Sequence, residues 1–103
     1  MKHFLIKYTF KAGPREAWHA EIARFIAALE SDPKLKGRIA YRCMKVRDSD
    51  DYFHFATAVD DGAPGDLGEA DFFKHYTEAS DAASGGTLEV LPLEVVAETA
   101  FRG

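Results

Sequence analysis

Four histidines and four tyrosines hold most of the side-chain chemistry in this chain. His75 and Tyr76 stand next to each other. An imidazole titrates near neutrality and can act as general acid, general base or proton relay, and a phenol can hydrogen-bond an aromatic ligand's oxygen. The bland alternative puts Tyr76 in the core and His75 on a helix flank, because partly buried His and Tyr are common without function. Tyr52 and His54 alternate with Ala56 and Ala58. They make either a small-residue floor with a polar handle or one layer of a subunit interface, where aromatic residues are enriched; the interface reading is preferred. Trp18 can stack on a flat ligand, but a Trp on an apolar helical stripe is more often core. Tyr8 and Tyr41 can each offer a hydroxyl to a cavity, although a buried Tyr usually finds a backbone partner.

Other groups are less informative. Cys43 is the single cysteine, which is too few for an internal disulfide or a thiolate metal cluster. Histidines 3, 19, 54 and 75 show no ligand spacing. Asp48-Ser49-Asp50-Asp51 lacks the spaced ligands and Gly of a calcium loop, so it reads as a solvated turn. Arg38, Arg42 and Lys45 read as strand-surface charges that pair with the many acids rather than as an anion site. No phosphate loop, nucleophile elbow or dinucleotide fingerprint is present. The residues therefore predict no metal site and no cofactor site.

The elements that must position these groups can be read from periodicity. Phe4 to Phe10 alternates, with Phe4, Ile6, Tyr8 and Phe10 on one side, and predicts a strand. Gly13-Pro14 breaks it and opens a helix running to about Ser31, with Trp18, Ile22, Phe25, Ile26 and Leu29 as its stripe. Asp32-Pro33 ends that helix. Arg38–Val59 predicts two strands around the acidic turn. Asp60–Gly68 reads as a Gly/Pro/Asp loop. Glu69 to Ala83 predicts a second helix, with Phe72, Phe73, Tyr76, Ala79 and Ala83 as its stripe, stopped by Gly85-Gly86. Thr87 to Ala100 predicts a last strand region, in which Pro92 demands an edge position, a bulge or a departure from the sheet.

The order β-α-β-β-α-β predicts an α+β, ferredoxin-like fold: a four-stranded antiparallel sheet with two helices on one face. Residues 1–103 make one domain. The second face of the sheet has no cover within the chain. It predicts a homodimer through the open sheet face and the last strand. Which of His54 or Phe55 meets the partner depends on a register that alternation alone does not fix. The net charge of −4 disfavours nucleic acid and anionic membrane surfaces as partners. With no signal-peptide core and no long apolar run, the expected location is cytoplasmic.

The chain resembles the antibiotic biosynthesis monooxygenase family of the dimeric α+β barrel proteins. The likeness is carried by the Gly13-Pro14 approach to the first helix, the passage "SDPKLKGRIAYRCMKVRDSDDYFHFATAVDD", the "ADFFKHYTEA" start of the second helix and the apolar last strand. The resemblance implies a ligand cavity between helices and sheet, faced by Phe4, Ile6, Tyr8 and Phe10. It departs from the pattern where Val59, rather than Trp, precedes the acidic Asp60. The haem-degrading branch is disfavoured: its Trp, its iron-ligating His and its first-strand Asn fall on Leu67, Thr77 and Ile6, and His75 lies two residues from the ligand position.

What the resemblance implies is a cofactor-independent monooxygenase acting on a small aromatic, a quinol, phenol or polyketide-like compound. His75 and Tyr76 are then the expected catalytic residues, and Ile6, Tyr8, Trp18 and Phe72 the expected substrate-binding ones. The enzyme would supply a dry pocket, a proton acceptor and orientation of the phenolate. The competing expectation is a non-catalytic ligand-binding or dimerising module of the same fold.

Overall fold

A computed structural model describes residues 1–99. Strand β1 (Lys2–Thr9) leads to helix α1 (Arg15–Ser31), then to the hairpin β2 (Ile39–Lys45) and β3 (Asp51–Ala58). A short helix α2 (Ala63–Glu69), a longer α3 (Asp71–Ser84) and strand β4 (Glu89–Leu93) complete the order. The sheet runs β2-β3-β1-β4, with every neighbouring pair antiparallel. This is the four-stranded ferredoxin-like sheet that the periodicities predict.

The helices cover one side of it. Trp18, Ile22, Phe25 and Leu29 of α1 are buried, as their spacing requires. Pro14 sits in extended conformation at the N-cap, and Asp32 leaves helical geometry ahead of Pro33. Gly85 ends α3 at φ 58. A Cβ there would lie 2.9 Å from Lys11 Cβ, so the position needs glycine for space as well as for conformation.

Two of the expected elements are corrected. The Asp60–Gly68 stretch is not all loop, because it contains α2. Asp60 Oδ1 accepts the N–H groups of Gly62 and Ala63, and Pro64 occupies the first turn. Arg38 fastens the segment by donating to Asp60 (2.9 Å) and to Asp66 (2.7 Å). The last strand is shorter than predicted. It stops at Leu93, residues 94–99 carry no regular structure, and Ala100 lies outside the described residues. Pro92, with no N–H to give, stands on this edge strand opposite Phe4.

The register decides the faces. Tyr8 pairs with Tyr52, Ile6 with His54, and Cys43 with His54, so these residues look toward the helices. Leu5 pairs with both Phe55 and Leu91, and these look away. The preferred placement of Tyr52 and His54 in a layer between subunits is therefore overturned: both are 1% exposed, under the helices. Phe55, at 39% exposure, takes the open side.

Candidate active site

Small side chains in the middle of the sheet leave space. Ala56 and Ala58 of β3 cannot reach α3, and a cavity of about 500 Å3 remains between them. Phe4, Ile6 and Tyr8 of β1 line it, as do Tyr41 of β2, His54 of β3, and Phe73 and Tyr76 of α3. Leu67 of α2 closes one side, which gives the Arg38 clamp a consequence for the pocket. Glu78 and Asp81 stand at the α3 margin. The described lining is mostly apolar and includes no Lys or Arg.

Three tyrosines of the cavity wall converge on His54, while Thr57, Thr77, Glu78, Ser80 and Asp81 also line the space. Tyr8 Oη lies 2.8 Å from His54 Nε2 and accepts the indole N–H of Trp18, also at 2.8 Å. On the other side of the ring, Tyr41 Oη meets His54 Nδ1. Tyr41 Oη is 3.1 Å from Tyr76 Oη, which lies 3.4 Å from His54 Nδ1. Cys43 Sγ sits 3.1 Å from His54 Nε2. Among the described residues no buried side-chain polar atom lacks a partner. Stacking fixes the rings: Tyr76 lies parallel to Phe25 at 3.9 Å and to Trp18 at 5.7 Å, and Tyr8 is stacked on Tyr52 at 5.1 Å.

Burial sets the protonation states. Desolvation pulls the His54 imidazole down to about 4, so it is neutral at pH 7. Desolvation likewise raises the phenols of Tyr8, Tyr41 and Tyr76 well above the usual tyrosine range. The Cys43 thiol is pushed up to about 11 by the same cause, which makes it a poor nucleophile. The cluster is thus an uncharged, hydrogen-bonded patch at one end of an apolar chamber. Both His54 nitrogens are engaged by neighbours, and no group of three or more His, Cys, Asp or Glu that could hold a metal occurs among the described residues.

The structure brings Ile6, Tyr8 and Tyr76 to the cavity wall. Trp18 and Phe72 are elsewhere. Trp18 is buried behind Tyr8 and Tyr76, acting through its N–H and its ring, and Phe72 packs against Phe25. His75 lies on the outer flank of α3, two-thirds exposed, with Nε2 2.8 Å from Glu21 Oε1. Neighbouring helical residues point roughly 100° apart, so a buried Tyr76 sends His75 outward. His75 therefore cannot reach a ligand in the cavity, and its assignment as a catalytic residue is corrected. Tyr8 and Tyr41 hydrogen-bond side chains instead of the expected backbone.

The residues underrated from sequence are His54 and Tyr41. A signal for them existed. Once the first-strand aromatic residues face the helices, antiparallel pairing carries the alternate residues of the hairpin to the same side. The small Ala56 and Ala58 beside His54 mark where space is left.

No family model matches the chain, and no curated protein matches it in sequence. Solved structures do match in fold. SnoaB, a cofactor-independent oxygenase from Streptomyces nogalater, superposes with a TM-score of 0.76 over 94% of each chain at 22% identity. An antibiotic biosynthesis monooxygenase gives a TM-score of 0.66 at 15% identity, covering 94% of this chain and all of that one. A dimeric ferredoxin-like protein of unknown function from Jannaschia sp. CCS1 gives 0.65 at 18% identity over 92% of this chain and all of that one. The chain shares its fold, a four-stranded antiparallel sheet with helices on one face, with these proteins.

Proposed function

We propose that the protein is a cofactor-independent monooxygenase acting on a small electron-rich aromatic, a phenol, quinol or polyketide-like compound. One observation carries this reading: a mostly apolar chamber large enough for fused rings, with a hydrogen-bonded cluster of three tyrosines around His54 in its wall. A chamber filled by Phe4, Trp18, Phe72 and Phe73 would have argued for a module without chemistry; here the space is open. The likeness in fold to SnoaB, itself described as a cofactor-independent oxygenase, agrees with the same reading.

In this chemistry the ligand is its own reductant. The ionised aromatic passes electrons to dioxygen, and a carbon–oxygen bond forms at its electron-rich carbon. The peroxide takes up a proton from solvent, and the hydroperoxide then breaks its O–O bond as the hydrogen on the same carbon leaves with the departing hydroxide as water, so that the product gains a carbonyl holding one oxygen atom of the dioxygen. The protein excludes bulk water and fixes the ring oxygen against the Tyr41 and Tyr76 hydroxyls. Ile6, Tyr8 and Phe73 hold the flat face.

The same reading includes a homodimer, in which a second copy covers the open sheet face. Leu91, Met44 and Phe55 leave apolar surface in water there, a costly arrangement for a lone chain. One of the fold neighbours is described as dimeric. The cytoplasm is the proposed location, in keeping with the free Cys43. Among the described residues no helix is long and apolar enough to cross a membrane.

Incubation of the protein with a panel of quinols and phenols under isotopically labelled dioxygen tests the function. The expected outcome is a product carrying one labelled oxygen atom, with no added metal or cofactor. Tight binding of the panel without any product would leave a ligand-binding module instead.

A further inference from the structure

Tyr52 stands between the cavity and the surface. Its ring lies parallel to that of Tyr8, with centroids 5.1 Å apart and planes 5° apart, and Tyr8 is part of the cavity wall. Trp18 extends the contact. It meets Tyr8 edge-on at 6.1 Å and stacks on Tyr76, another wall residue, at 5.7 Å. Tyr76, Trp18, Tyr8 and Tyr52 are thus oxidisable rings in unbroken contact, leading outward from the chamber. The far end of this stack is polar. Tyr52 Oη accepts an N–H of Arg15 at 2.8 Å and lies 2.7 Å from His19 Nε2.

The hydrogen of the Tyr52 phenol has a defined direction. A guanidinium only donates, so Arg15 cannot take it. Tyr52 is 1% exposed, and among the described residues His19 is the other side chain bonded to its oxygen. Tyr52 therefore donates to a bare His19 Nε2. The acceptor beside Tyr8, His54, is buried, whereas His19 is exposed on α1 and can pass a proton to water. Asp50 pairs with Arg15 and balances the guanidinium next to the pair. A phenol gives up an electron more easily when its proton can leave with it. An imidazole within hydrogen-bond reach is suited to take that proton.

We propose that Tyr8, Tyr52 and His19 form an escape route for oxidising equivalents from the cavity, ending in a neutral radical on Tyr52. The inference rests on oxygen chemistry in the cavity and adds what happens when that chemistry misfires. If superoxide leaves before the carbon–oxygen bond forms, the ligand radical left behind adds another dioxygen and becomes a peroxyl radical. That peroxyl radical is the oxidant. It takes one electron, which passes from Tyr52 across the stacked ring of Tyr8, and becomes the peroxide anion. The peroxide then takes its proton from solvent, as in the productive path. Tyr52 gives its hydroxyl proton to His19 Nε2 and is left as the phenoxyl radical. A dissolved thiol refills it by giving one electron, losing its own proton to water and leaving as a thiyl radical, while His19 returns the proton to Tyr52. The oxidising equivalent is thereby drawn away from the Tyr41, Cys43 and His54 side chains at the cavity wall.

The first measurement needs no oxygen and no ligand. The protein is oxidised by one electron with flash-generated ruthenium(III) tris(bipyridine), freeze-trapped and read by electron paramagnetic resonance. The native chain is expected to give a tyrosyl signal. Tyr52→Phe, which keeps the stacked ring, should lose most of it. His19→Ala, a change at an exposed position, should lower the yield several-fold, and imidazole added to the buffer should restore it. A native-like signal in Tyr52→Phe, or a His19→Ala yield that is unchanged or that imidazole does not raise, would overturn the assignment. The second measurement joins the pair to the cavity. During turnover of a quinol with oxygen, Tyr52→Phe should start at the native rate and be inactivated after several-fold fewer turnovers. Equal numbers of turnovers before inactivation would overturn the route while leaving the oxygenase reading in place. A native chain that turns over no quinol would overturn the oxygenase reading, and the route with it, whatever radical the first measurement finds.

Discussion

His54 and Phe55 are neighbours on β3, and each occupies the side usually given to the other. The imidazole is 1% exposed and the phenyl ring 39% exposed. On the helix side the sheet tolerates a polar centre because every polar atom around His54 finds a partner. On the open side the described residues leave Met44, Phe55 and Leu91 exposed. The two faces of this sheet are therefore completed differently. The first is completed by side-chain hydrogen bonds and lines a cavity; the second leaves apolar surface that the proposed second copy would cover.

The strongest way to break that contrast is to remove each residue in turn. His54→Ala would strand the Tyr8 and Tyr41 hydroxyls in a buried site and open a void. The expected loss is roughly 3 kcal/mol of folding stability, read as a fall in Tm of about 10 °C or more. Phe55→Ala should cost the isolated chain far less. Similar losses from both would erase the distinction between the faces.

Acid should act on the first face alone. The His54 pKa falls from the ordinary 6.5 to about 4 in the folded protein because burial disfavours the imidazolium. The unfolded chain therefore binds the proton more readily than the folded one. The stability from this group is complete above about pH 6.5 and is lost as pH falls toward about 4. On the order of 3 kcal/mol is at stake. Chemical denaturation across that window should show the decline, and His54→Gln should flatten it. A native protein equally stable at both ends would mean that His54 is not held neutral.

Phe55→Lys sharpens the second face. It places charge in the middle of the apolar open surface, opposite Leu5 and Arg42. Light scattering at micromolar concentration should show a dimer mass for the native chain and a monomer mass for the variant, with monomer stability changed by about 1 kcal/mol at most. A native monomer would remove the partner from the account.

His75→Ala should do least. The side chain is largely in water, and its contact with Glu21 is worth little there. A change in Tm of more than a few degrees would contradict that placement.

Much of the fold was legible because long periodic stretches report it directly. The α1 stripe, the strand alternation and the glycine stop after α3 follow from which residues need burial or a left-handed turn. The short helix α2 was not legible, since its Gly, Pro and Asp content is that of a loop. Its fastening comes from Arg38, more than twenty residues earlier in the chain. The site was legible in part. Tyr76, Tyr8 and Ile6 follow from stripe and alternation, but β3 offers two faces with similar claims. Apolar content favours Phe53 and Phe55 as the core side, while the structure buries Tyr52 and His54. That choice is made by the pairing of β3 with β1 and by hydrogen bonds to Tyr8 and Tyr41, which no local pattern carries.

The central claim is that oxygen chemistry occurs at the Tyr41–His54–Tyr76 end of the cavity, and oxygen uptake with an acidic quinol measures it directly. The native chain should consume oxygen without added cofactor. The Tyr41→Phe/Tyr76→Phe double variant should be slower by on the order of a hundredfold, while His75→Ala keeps the native rate. Equal rates in all three proteins would contradict the claim and move the chemistry away from this site.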